Sequence, residues 1–384
     1  FDRVVPWSEN SVLDGHVFAV LLYALSRGKP LRVHGVISHN AMRNMEELQL
    51  AWRCWKPDIY TKIDIIPDKI DDNKNILNKD KVISAFSGGV DASFTALRHT
   101  KILSDATRYP LSSVLMVHGF DVEMYNNEDF EQLTERVRPT LYDLGLELRT
   151  MRTNSRELNL QNWKDSHGLE LAACLHLCSN EFEYGLIGSS YSYDRLELPW
   201  GSNAATDHLI SGNNFSIIHD GAGFSRTDKV AVIKDFPIAC KSLKVCWAGA
   251  DQSKNCGKCE KCVRTQLNFL AAGVSSTPPC FPKELDIRRI NDINIHTISA
   301  CQFSELVSIV AYAKVHHTTG GWTQILESRI ALRKPEDANY CTPQNAGFIK
   351  KSIIKLLTVL GLGEPVKRIW RKTQRVILYQ LNID

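Results

Sequence analysis

The chain has 384 residues, enough for two or three packed units, and its 43% hydrophobic and 23% charged content is that of a globular protein in water. A formal net charge of +3 is too small to imply a polyanionic partner, and no apolar run has the length of a transmembrane segment. Eleven cysteines, several at metal-ligand spacing, predict a reducing cytoplasm rather than a disulfide framework.

Residues 1–80 read as an α/β extension. Val12 to Leu25 is apolar and helix-like, and Arg32 to Ile37 reads as a strand. Met45, Leu48, Trp52 and Trp55 recur at helical spacing, which predicts a buried stripe. His34 and His39 flank the predicted strand and read as structural. The polar run from Pro67 to Asp80 predicts a linker.

From residue 81 to about 240 strands and helices alternate, the pattern of a parallel sheet with helices on both faces. Predicted strands lie at Val82-Ile83, Val114–Val117, Leu148–Met151, Tyr184–Ile187 and Phe215–Ile218. Helices are expected near Asp129–Leu144, after Ser166-His167-Gly168, and after Ser225-Arg226-Thr227-Asp228, which has capping-box form. Ligands of such sheets bind outside the carboxyl ends of the strands. That rule selects Ser87-Gly88-Gly89-Val90-Asp91, His118, Ser166-His167, Gly188-Ser189-Ser190 and Asp194-Arg195. His118 and His167 read equally as site groups or surface histidines. The loop Leu198-Pro199-Trp200-Gly201-Ser202-Asn203, running on to Asp207, either lines a substrate pocket with Trp200, Asn203 and Asp207 or packs on the surface. Arg226 and Lys229 either face phosphates or are solvated helix charges.

The first strong signal is the strand–glycine–helix corner at Ser84–Ser93. Two glycines let the backbone come close to a ligand, and the following helix aims its free N–H groups at the turn, which makes an anion site. Ser87 and Ser93 add hydroxyls, and Asp91 either holds a metal ion or caps the helix. The second signal is Cys246 with Cys256, Cys259 and Cys262, a C-x9-C-x2-C-x2-C spacing. Four thiolates on tight turns suit a closed structural Zn2+ site, with an iron–sulfur cluster as the alternative for the same ligands. After Pro278-Pro279 the pattern is helical, with helices expected at Ser304–Ala313 and Trp322–Leu332. The tail from Phe348 mixes eight Lys and Arg residues with apolar ones, so it either packs on the protein or meets a membrane, an RNA or a protein partner.

Ser87-Gly88-Gly89-Val90-Asp91 resembles the pyrophosphate loop of the N-type ATP pyrophosphatases, S-G-G-x-D-S, with Ala92 at the place of the last serine and Ser93 one residue later. His118-Gly119 is similar to the pair found after strand two in tRNA-lysidine synthetases of that superfamily. Loop and cysteine cluster together resemble 7-cyano-7-deazaguanine synthases over about residues 81–270. The resemblance implies an adenine-nucleotide-binding, Rossmann-like domain at 81–275 with a four-cysteine zinc site, followed by a helical, basic region at 285–384. It implies ATP and Mg2+ at Ser87, Gly88, Gly89, Asp91 and Ser93, with adenine beside Met116 and His118 and room made by Gly188. The implied activity is AMP transfer to a small-molecule carboxylate with release of pyrophosphate, then C–N bond formation to an amide or nitrile with ammonia or an amine. Substrate contacts fall to His167, Ser189, Asp194, Arg195, Trp200, Asp207 and Arg226. A tRNA-thiolating enzyme, with Cys174, Cys178 or Cys240 as sulfur carriers, and a nucleotide-binding subunit of a larger complex or oligomer are the alternatives.

Overall fold

The computed structural model describes residues 12–72, 81–158, 160–246, 248–249 and 251–334. The basic tail and much of the predicted linker lie outside the described residues. Five parallel strands form the main sheet: β3 (Val82–Ala85), β4 (Leu111–His118), β5 (Glu147–Arg152), β6 (Tyr184–Gly188) and β7 (Ser216–Asp220), in the order β5-β4-β3-β6-β7. The strand order reverses at β3, because the chain runs outward to β4 and β5 and then returns to β6 on the other side. A parallel sheet needs a crossover between strands; α3 (Val90–Leu97), α4 (Asn127–Leu144) and α5 (Trp163–His176) supply those to β4, β5 and β6, and the long loop after β6 supplies that to β7. The protein is therefore mixed α/β, with a helix-flanked parallel sheet.

Side chains alternate across each strand, so the two faces carry separate cores. Val82, Val114, Met116 and Leu186 join α3, α4, α6 (Arg226–Ile233) and α7 (Pro237–Ser242). Ile83, Leu115, Ile187 and Ile217 join α5 and the N-terminal elements α1 (Asp14–Arg27), β1 (Leu31–Ser38) and α2 (His39–Trp55). Met45, Leu48 and Trp52, three members of the helical stripe, are fully buried in this second core. Each such side chain contributes about 1.5–3 kcal/mol by leaving water. The N-terminal elements thus share the sheet's core, and buried Asp165 on α5 fastens them by accepting from Lys56 Nζ (2.7 Å) and the Tyr60 hydroxyl (2.8 Å).

Two expectations are corrected. The first part of the predicted linker is strand β2 (Ile65–Asp71), paired in parallel with β1, with Ile65, Pro67 and Asp71 half-buried and Ile66, Asp68, Lys69 and Ile70 exposed. Helix α5 begins at Trp163, with Asn162 capping its first turn through Lys164 N at 3.0 Å, so Ser166 and His167 sit within the helix rather than before it. A third core joins α8 (Glu260–Ala271), α9 (Ala300–Val315) and α10 (Gly321–Ile330) through Leu267, Leu306, Ile309 and Leu326. Among the described residues no helix is long and apolar enough to cross a membrane.

Candidate functional site

At the carboxyl ends of β3, β4 and β6 lies a cavity of about 560 Å³, and a smaller one of about 60 Å³ sits beneath the glycine loop. The loop is shaped by Gly88, whose φ of +74° disfavours a side chain and whose backbone carbonyl accepts from Lys244 N at 2.8 Å. Gly89 then caps α3, and its N–H makes a long 3.3 Å contact with the Ser87 hydroxyl. Asp91, in the first turn of α3, accepts from Arg226 Nη2 (2.7 Å) and Lys229 Nζ (3.1 Å). Burial alone raises its pKa, but the two cations outweigh burial and hold the carboxyl below its ordinary value. Lys229 is itself buried, and its ammonium also donates to the Ser189 carbonyl.

The capping box at Ser225 and Asp228 starts α6 so that Arg226 and Lys229 reach Asp91 across the end of β6. Arg226 also lies 3.7 Å from Glu305, which pairs with Arg264, and Arg264 is paired with Glu260 one helical turn before it. The loop carboxylate is thereby connected by alternating charges to α8 and α9. Asp121, three residues past β4, borders both cavities, and its carboxyl is raised by burial despite the charges of Lys261, Arg156 and Lys244.

The structure gathers Ser87, Asp91, Met116, Gly188, His167, Trp200 and Arg226 on the large cavity, and Gly89 on the small one. The close approach of α3 explains why position 188 is glycine: a Cβ there would lie 2.8 Å from the Asp91 carbonyl oxygen. Other candidates stand elsewhere. Ser93 is buried in α3 and off both cavity walls, because one residue along a helix turns the side chain by roughly 100° from position 92. His118 is buried behind the wall, stacked on Phe130 at 4.4 Å with Nε2 against the Glu123 carbonyl, and burial lowers its pKa. Ser189 is buried and donates to the Tyr191 carbonyl. Asp194 is exposed and pairs with Arg195, whose guanidinium reaches Ser304 on α9. Asp207 is fully buried and binds the Ser202 hydroxyl (2.7 Å), Asn203 N (2.9 Å) and the His219 ring (2.7 Å), so it builds the loop rather than the pocket.

Sequence reasoning missed Tyr191, Glu197, Arg264, Gln302 and Glu305 on the cavity wall, and Lys244 beneath the loop. The only signal for these was local: Glu260 and Arg264 at i, i+4 spacing on one helix. Lys261, between two cluster cysteines, lines both cavities rather than only offsetting thiolate charge.

The four cysteine sulfurs lie within 4.8 Å of one another, with Cys246–Cys259 at 3.7 Å and Cys256–Cys262 at 3.9 Å. A tetrahedral ion with metal–sulfur bonds of about 2.3 Å sets its ligands about 3.8 Å apart, so the cluster could hold a metal such as zinc. Asn255 supports it by accepting from Val245 N (2.8 Å) and Cys246 N (3.2 Å). Fold and site together define a mixed α/β protein with a strand-end cavity and a possible four-cysteine metal centre. Comparison with family models, with curated proteins and with solved structures finds no match for the chain.

Proposed function

We propose that the protein is an ATP-dependent, AMP-forming ligase of the pyrophosphate-loop type. It transfers AMP to the carboxylate of a small molecule and then joins the acyl group to ammonia or an amine. One observation carries this reading: Ser87, Asp91 at the start of α3 and the cations Arg226 and Lys261 border both cavities at the strand ends, and Gly89 borders the small one. A partly enclosed site in which cations stand beside backbone amides is suited to a polyphosphate. Met116 offers an apolar surface for adenine. Loop amides and the Ser87 hydroxyl receive the pyrophosphate.

In the first step a carboxylate oxygen attacks the α-phosphorus, and the bond to the bridging oxygen breaks with its electrons leaving on pyrophosphate. Arg226 and Lys261 stabilise that charge, and Asp91 fixes Arg226 in place. Asp121, which borders both cavities, is the carboxylate that would hold Mg2+, because both oxygens of Asp91 already face cations. Magnesium supplies neutralisation of the phosphate oxygens when bound. Zinc at the four-cysteine cluster holds the chain segment that carries Lys244 and Lys261.

Exchange of labelled pyrophosphate into ATP, screened across small carboxylic acids, tests the proposal. Acid-dependent exchange with AMP formation is expected, and formation of ADP alone would contradict it. Nucleotide binding with no exchange for any acid would instead favour the non-catalytic subunit. Burial pushes Cys174 up to about 12 and Cys178 up to about 11, the reverse of an activated thiol; Cys240 is lowered by its hydrogen bond with Cys280 but lies within the core and off the cavity wall.

A further inference from the structure

A second group of residues on the cavity has a chemistry distinct from the glycine loop. Trp163 and His167, one turn apart on α5, stack at 4.8 Å. Trp200 stands edge-on to them at 5.7 and 5.0 Å, and Tyr191 meets Trp200 at 5.7 Å. The loop bearing Trp200 is seated directly on α5: a Cβ at Gly168 would lie 2.0 Å from the Gly201 carbonyl oxygen. The rings therefore form a fixed wall rather than a loose loop.

Glu197 belongs to the same wall, and its Oε2 is buried with no hydrogen-bond partner. The Tyr191 hydroxyl is raised first by burial, then by the neighbouring Glu197 charge and by its hydrogen bond to Glu197, which places the two groups together. Among the described residues Glu197 and Asp121 on this cavity have no ion pair within 4 Å, whereas Asp91, Glu260 and Glu305 do; unlike Asp121, Glu197 stands at the aromatic wall. Two of the nearby cations already face other acceptors. Arg156 lies 3.7 Å from Glu170 and donates to the Phe120 carbonyl at 2.9 Å, and Arg226 serves Asp91. His167 brings no second positive charge, since burial lowers its pKa. The Trp200 indole N–H is also buried without an acceptor.

A half-buried carboxylate whose buried oxygen has no partner and which has no counter-charge, bordered by aromatic rings, matches a cationic amine, and an idle indole donor matches an oxygen on it. We infer that Glu197, Tyr191 and Trp200 form a binding subsite for a small primary amine, held as its ammonium ion and carrying an oxygen acceptor. Its assignment as the place of the amine that ends the ligase reaction rests on the function proposed above, but binding itself does not.

The test is a titration of the full chain, followed by quenching of tryptophan fluorescence and by calorimetry at constant ionic strength. The probes are ethanolammonium chloride and its neutral isostere ethylene glycol. Ethanolammonium is expected to saturate and ethylene glycol to show no saturable signal. Glu197→Gln should weaken ethanolammonium binding by about tenfold or more, and Tyr191→Phe by less, because a charge-assisted contact is stronger than a neutral one. Unchanged thermal melting of Tyr191→Phe keeps the comparison valid if the Gln variant fails to fold. Equal binding of ethylene glycol, no binding of ethanolammonium, or wild-type affinity in Glu197→Gln would overturn the inference. Absence of pyrophosphate exchange together with intact ammonium binding would instead remove only the ligase reading.

Discussion

The glycine corner and the aromatic corner face the same cavity but are built in different ways. At Ser87–Asp91 one short segment supplies the amides, the hydroxyl and the carboxylate, and Arg226 and Lys229 arrive only to hold Asp91. At the aromatic corner Trp163, His167, Tyr191, Glu197 and Trp200 come from a helix and a long loop, brought together by the Gly168–Gly201 contact. A polar anchor that must meet a fixed anion is encoded locally, whereas a wall shaped to one ligand is encoded by tertiary packing.

That comparison can be broken from the metal side first, where the largest effect is expected. Lys244 N holds the Gly88 carbonyl, and the cluster holds the Lys244 segment through Asn255. Chelation of the metal, or Cys262→Ser, should strip hydrogen-exchange protection from residues 86–90 and 243–246 while leaving 163–176 protected. Equal loss at both corners would show that they are not separable.

Lys229→Met comes next. It removes one of the two cations on half-buried Asp91 and should lower unfolding free energy in urea by about 1–3 kcal/mol. A change within experimental error would mean that Arg226 alone compensates Asp91. Gly201→Ala places a Cβ 2.6 Å from His167 Nδ1 and 2.7 Å from the Asp165 carbonyl oxygen. It should cost about 1–3 kcal/mol and alter the tryptophan emission while ATP affinity stays at the wild-type level. Loss of ATP affinity would join the two corners.

The smallest effect separates two carboxylates of the cavity by pH. Asp91 has a lowered pKa, so the stability it adds is present above about 3.8 and fades as pH falls below that value. Asp121 has a raised pKa, so its ionised form destabilises at neutral pH, and the penalty fades as pH falls through the raised value. Asp91→Asn should therefore melt below wild type at pH 7, with the gap closing in strong acid. Asp121→Asn should melt above wild type at pH 7, with its advantage shrinking as the medium is acidified. Shifts of the same sign for both would contradict the assignment.

Most strands and helices were legible because their signals are local: apolar runs at β3, β4 and β6, and the capping box at Ser225. Strand β2 was hidden by its charges, since an edge strand paired on one side carries polar positions that read as linker. The glycine loop and the four cysteines were legible for the same reason of short spacing. Glu197, Tyr191 and Glu305 were not, because nothing near them in sequence shows that α9 and the Trp200 loop close over the strand ends. Asp207 misled in the opposite direction, its loop position suggesting a ligand contact where packing makes it a buried anchor for Ser202, Asn203 and His219.

The central claim is that the Ser87–Gly89 turn receives a pyrophosphate group. A crystal of the full chain soaked with magnesium and α,β-methylene ATP tests it most directly. The account predicts phosphate oxygens within hydrogen-bond distance of the loop amides and of Arg226, with adenine against Met116. Nucleotide density elsewhere, with the turn still closed by the Ser87 hydroxyl on Gly89 N–H, would contradict it.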